Sequence, residues 1–191
     1  RLPHYVVGRL AQPSGDALLV DALADPAFGR ALVEAISRRR RIPADGAVLL
    51  AQPTRAFRQL VPSGTPLPEP TLSRAEQSNN SLIFGDRLIL KLFRKVEPGM
   101  NPEVEIGYYL TERVGFPHVP PLAGSIELQL GQSEPISLAV LQAFVHTEGD
   151  AWQYTLDELG GYLERALAYP GEPPAITLDP QSLIERAGGE I

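Results

Sequence analysis

Apolar and polar positions alternate along the opening stretch HYVVGRLAQPSGDALLVDAL, which predicts two strands around a Pro-Ser-Gly-Asp turn. Asp25 followed by Pro26 gives an N-cap and a first-turn proline for a helix running to about Ile36. AVLLAQ and AFRQLV then read as two further strands. The densest proline cluster, VPSGTPLPEP at 61–70, reads as an extended connector and suggests two lobes. After it, NSLIFG and RLILKLF form a hairpin pattern around Gly85-Asp86. Asn101-Pro102 opens a helix with Glu103 in its first turn and Ile106, Tyr109, Leu110 and Val114 as its apolar face, stopped by Gly115 and Pro117. GSIELQL and ISLAVLQAFV predict another strand pair around Gly131-Gln132-Ser133. A last helix over about 152–169 carries Leu156, Leu159, Leu163, Ala166 and Leu167 at helical spacing, with Asp150 as its N-cap. The second half thus reads β-β-α-β-β-α, and the chain as a whole α+β.

One residue breaks the pattern. Lys91 lies between Leu88, Ile89, Leu90 and Leu92, Phe93, a run that reads as a strand buried on both faces, where an ammonium is costly without a partner. Glu103 and Glu105, 12 and 14 residues downstream in the next helix, are the available carboxylates, and Glu105 is preferred. A lysine snorkelling from a strand edge is the alternative. Hairpin, strand lysine, helix glutamate and two more strands follow one another as in a kinase small lobe, where the lysine meets the α and β phosphates of ATP and a helix carboxylate positions it. No G-x-G-x-x-G occurs; EQSNNS at 76–81 stands in its place, and its small polar side chains suit a tight turn with N–H groups near a phosphate. With Leu141 as a gatekeeper-like residue, the Gln142 carbonyl and the Phe144 N–H are expected to face the adenine edge.

Composition narrows the classes. The 191 residues are 43% hydrophobic and 21% charged, with net charge -6 and a pI near 5.1, which argues against a nucleic-acid or polybasic membrane surface. The basic run at 38–41 closes the first predicted helix, where it favours the negative end of the dipole. The absence of cysteine excludes disulfides, thiolate metal sites and a cysteine nucleophile. No apolar run approaches a membrane span and no signal peptide is visible, so a cytoplasmic location is expected. His4, His118 and His146 lack ligand spacing, so they predict no metal site. Because the chain starts at Arg1 and stops at Ile191 soon after GEPP, it is expected to be a piece of a longer polypeptide.

The segments EQSN, LKLFRK, NPEVE and EGDAW occur in that order, and the stretch from about 72 to 168 resembles bacterial maltokinases, above all the maltokinase-like domain fused behind trehalose synthase. AVLLAQPTRAFRQL is similar to the cap subdomain of that family. The resemblance implies an N-terminal cap of antiparallel strands packed on a helix with its connector (1–70), a small lobe like those of protein kinases and aminoglycoside phosphotransferases (71–150), and a hinge helix starting a large lobe that is otherwise absent (151–191). It implies ATP-dependent conversion of maltose to maltose 1-phosphate with magnesium, in trehalose and glycogen metabolism. The ATP-binding residues would be Lys91, Glu103 or Glu105, the loop Gln77, Ser78, Asn79, Asn80 and Ser81, and the backbone of Gln142 and Phe144. Family motifs of the large lobe, H-G-D-x-H and D-F-E, are missing from the sequence. No catalytic residue or magnesium ligand is therefore assigned, and the chain alone is expected to be inactive, with maltose bound only by the complete protein. The alternative is a non-catalytic module that docks onto or regulates trehalose synthase.

Overall fold

A computed structural model describes residues 5–13, 15–62, 64–73 and 79–171. The chain divides into two compact units, Arg1–His146 and Thr147–Ile191. In the first unit β1 (Val6–Leu10) and β2 (Ala17–Val20) make a separate antiparallel hairpin. The remaining strands are β3 (Arg41–Ala44), β4 (Ala47–Pro53), β5 (Pro70–Leu72), β6 (Asn79–Phe84), β7 (Leu88–Phe93), β8 (Leu122–Leu130) and β9 (Ile136–Ala143). They form one antiparallel seven-stranded sheet in the order β3-β4-β8-β9-β7-β6-β5. The proline-rich connector therefore does not divide the sheet, because β4 from before it pairs with β8 from after it, from Ala47↔Leu130 to Pro53↔Gly124.

Strand side chains alternate between faces, and the two faces are covered differently. Helix α1 (Pro26–Ser37) covers one of them. Asp25 caps it by accepting a hydrogen bond from the Ala27 N–H at 2.9 Å, and Pro26 occupies its first turn, as the sequence predicts. Val33 and Ile36 pack there with Leu82, Phe84, Leu88, Leu90 and Leu141 in the main core. Gly29 permits the close approach: a Cβ in its place would lie 2.7 Å from Leu82 Cδ1. The other face carries α3 (Pro102–Tyr108), whose Val104 packs with Leu122, Val140 and Phe93 in a smaller core.

Three sequence expectations change here. AFRQLV is mostly a short helix, α2 (Ala56–Leu60), rather than a strand, because Phe57 and Leu60, three residues apart, both turn toward the main core. The expected apolar face of α3 is also displaced. Val104 is buried, while Ile106, Tyr109 and Val114 are each more than half exposed, at 57%, 58% and 52%. After Tyr108 the helix widens into a π turn over Tyr109–Val114, so a 3.6-residue period does not run through it. Finally, Arg41, the last residue of the basic run, opens strand β3 instead of extending the helix end.

The second unit holds α4 (Ala151–Ala168), with Asp150 accepting from the Gln153 N–H at 2.7 Å as its cap. Its apolar residues Leu156, Leu159, Leu163 and Leu167 are exposed. Among the described residues no helix is long and apolar enough to cross a membrane.

Candidate functional site

Lys91 sits on β7, near the middle of the sheet, directly opposite Ser81 on β6 and Val140 on β9. The strand is not buried equally on both sides. Leu88 and Leu90 go to the α1 core, whereas Ile89, Lys91 and Phe93 are half-buried and belong to the face carrying α3. This resolves the apparent misfit of a charge in an apolar run, since the ammonium projects from the less covered face.

Its partner is Glu103. Lys91 Nζ donates to Glu103 Oε1 at 2.7 Å, with the two side chains 21% and 31% exposed. Glu105, the residue preferred on sequence, faces solvent. The difference lies in where α3 starts. The Asn101 N–H donates to Ser137 Oγ on β9 at 2.9 Å, and Asn101 Oδ1 accepts from the Glu103 N–H at 2.9 Å. Just upstream, Gly99 N–H donates to the Pro135 carbonyl at 3.1 Å with φ +102°, a backbone that favours glycine. At the far end Thr111 Oγ1 accepts from the Leu122 N–H at 2.9 Å. With Val104 turned into the core, Glu103 falls beside the sheet and Glu105, two residues on, points away. The positive end of the helix also favours a carboxylate at this first turn.

The remaining expected site residues separate. Gln77 and Ser78 lie outside the described residues. Asn79, Asn80 and Ser81 are strand residues of β6 and not loop, in register with Phe93, Leu92 and Lys91. Strand parity places Asn79 and Ser81 on the face of Lys91 and Asn80 on the opposite face, where its Oδ1 accepts from Arg94 Nε at 3.1 Å and Nη2 at 2.8 Å. Short β5 pairs with β6, and the Ser73 N–H donates to the Ser81 carbonyl at 2.8 Å. Leu141 belongs to the α1 core, so it does not share a face with Lys91. The Phe144 N–H is already committed to the Arg87 carbonyl at 2.8 Å and is not free for a ligand, whereas the Val145 N–H has no hydrogen-bond partner among the described residues. Gln142, nearly buried, is on the Lys91 face beside Ile89.

Two residues escaped sequence reasoning. Ile83 and Ile89 are directly paired, half-buried, and one step along the strands from Ser81 and Lys91 on the same face. Counting back two positions from Lys91 identifies Ile89, a step that reading the run as buried on both sides concealed. On the other side of Lys91 from these isoleucines opens a cleft of about 400 Å³ lined by Asn79, Phe93, Lys95, Asn101, Glu103 and Ser137, among others. Lys95 is itself held by Glu97 at 2.6 Å in an exposed ion pair. Among the described residues no group of three histidine, cysteine, aspartate or glutamate side chains could hold a metal ion, so magnesium is assigned to none of them.

No protein-family model matches the chain. Among solved structures it is similar to a glucosamine kinase in complex with glucosamine, ADP and inorganic phosphate, at 20% identity and a TM-score of 0.47 over 81% of this chain and 33% of that one. Crystal form A of glucosamine kinase is similar over 96% of this chain and 36% of that one, at 21% identity and a TM-score of 0.48. The chain spans about a third of the length of these kinases.

Proposed function

We propose that the chain is the ATP-binding portion of a sugar kinase of the maltokinase kind. The observation that carries this is the Lys91–Glu103 pair, 2.7 Å long, raised from the half-open face of a central strand. A lysine held by one carboxylate and still partly exposed can neutralise a polyphosphate without being buried unpaired. Ile83 and Ile89 supply an apolar floor for the base one step along the strands, and the Val145 N–H, in place of Phe144, is the backbone donor for its edge. Asn79 and Ser81, on the Lys91 face of β6, lie nearest the phosphates, and Gln77 and Ser78, which precede them in sequence, are proposed to contribute with them. ATP supplies the transferred phosphoryl group; Lys91 orients its phosphates and Glu103 orients Lys91.

The full reaction is phosphorylation of maltose to maltose 1-phosphate. Its catalytic aspartate, sugar contacts and magnesium ligands come from a large lobe of the complete protein, whose H-G-D-x-H and D-F-E motifs the 191 residues lack. Trehalose synthase is the proposed neighbour in the complete protein. The chain alone binds nucleotide weakly and does not turn it over.

Titration of the chain with a fluorescent ATP analogue tests the site, with a dissociation constant on the order of millimolar expected for a cleft with one wall. Lys91→Ala and Glu103→Ala are each expected to weaken it, and Glu105→Ala to leave it unchanged. Binding insensitive to Lys91→Ala would sink the assignment. Maltose-dependent ADP formation by the chain, lost in Lys91→Ala, would overturn its inactivity.

A further inference from the structure

The basic run that closes α1 divides into different roles. Arg38 pairs with Glu34 at 2.9 Å along the helix. Arg39 adopts a left-handed backbone, φ +53°, and is the only non-glycine residue to do so among the described residues. It completes a helix ending in which the Arg39 N–H donates to the Ile36 carbonyl at 3.0 Å and the Arg40 N–H to the Ala35 carbonyl at 2.9 Å. Glycine takes that position without a steric penalty, so an arginine there works against the backbone preference and points to a use for its side chain.

That side chain lines two adjoining clefts, of about 620 and 670 Å³, which share Arg39, Pro53, Thr54 and Arg58. Arg55, on the wall of the first, is already neutralised: its N–H donates to Glu112 Oε1 at 2.7 Å and its Nε lies 3.5 Å from Oε2. Neither Arg39 nor Arg58 has a carboxylate partner among the described residues. The other carboxylate lining the first cleft, Glu127, has its acid pushed above the ordinary value by burial, against an opposing hydrogen bond with Ser125. Two unpartnered guanidinium forks line a space large enough for a sugar-sized body, on a chain whose net charge is -6. Planar forks of this kind grip tetrahedral oxyanions through paired N–H groups.

We propose that this cleft binds the phosphate monoester of a small molecule through Arg39 and Arg58, at a site that uses neither Lys91 nor Glu103. Calorimetric titration of the chain with inorganic phosphate and with glucose 1-phosphate tests it. Both are expected to bind, the ester more tightly. Arg39→Gly and Arg58→Ala are each expected to weaken binding about tenfold or more. Lys91→Ala is expected to change nothing, which separates this site from the nucleotide site. The melting temperature of Arg39→Gly should equal or exceed that of the parent chain, because glycine relieves the left-handed backbone. Unchanged affinity in Arg39→Gly, a lower melting temperature for that variant, or no binding of either ligand overturns the proposal. Equal affinity for the two ligands overturns its claim that the cleft holds an ester rather than a bare ion.

Discussion

The two faces of the seven-stranded sheet divide stability from chemistry. Under α1, Val33, Ile36, Phe84, Leu88, Leu90 and Leu141 are essentially sealed from solvent. Under α3 the buried apolar set shrinks to Val104, Leu122 and Val140, and around it stand Lys91, Glu103, Glu127 and the clefts of about 620 and 400 Å³. One strand serves both: β7 contributes Leu88 and Leu90 to the dry side and Ile89, Lys91 and Phe93 to the other. Closing one side fully lets the other stay partly open, so a charged pair can sit on a central strand without the desolvation that a two-sided core imposes.

The sharpest way to break this contrast is to cut into the dry side. Phe84→Ala, at a fully buried position, is expected to cost about 3–5 kcal/mol in denaturant unfolding. A cost under about 1 kcal/mol would show that the α1 side does not carry the stability. Next in size is Gly124→Val on β8, where the added Cβ would come within 2.5 Å of Ile36 Cγ2 and 2.6 Å of the Gln52 carbonyl. Overpacking there is expected to cost roughly 1–3 kcal/mol and lower the melting temperature. On the open side, Lys91→Met should alter stability by no more than about 1 kcal/mol, because the pair is partly exposed, while removing nucleotide binding. Unfolding as severe as that of Phe84→Ala would recast the pair as structural.

The smallest effect is a pH slope at Glu127. Burial raises its folded-state pKa above the unfolded 4.5, so the folded chain binds the proton more tightly. Below the unfolded pKa the acid is protonated in both states and costs nothing; as pH rises through the folded value the charged form must be held half-buried, and stability falls. Glu127→Gln should match the parent chain at low pH and exceed it near neutrality. A parent chain that gains on the variant as pH rises would reverse the assignment.

Much of the architecture is legible in the chain because local signals agree. Asp25-Pro26, Asn101-Pro102 and Asp150 each mark a helix start through an oxygen that accepts a backbone N–H, and each does so in the structure. Lys91 stands out by its chemistry alone. What escaped depends on neighbours remote in sequence. The choice of Glu103 over Glu105 follows from Ser137 on β9 holding Asn101, a contact 36 residues away. Strands β3 and β5 went unread because Pro43 and Pro70 argue against a strand, and proline is tolerated only where the ladder has a free side. A sheet that continues across the proline-rich connector has no local signal.

Those two short strands also bear on how the molecule meets others. They are the two edges of the sheet, four and three residues long, and each contains a residue with no N–H to offer an incoming strand. A foreign backbone cannot readily extend the ladder from either side, so growth into strand-to-strand polymers is blocked at both ends. A partner that meets this seven-stranded sheet must then rely on side chains and on its faces, not on backbone hydrogen bonds borrowed at its edges.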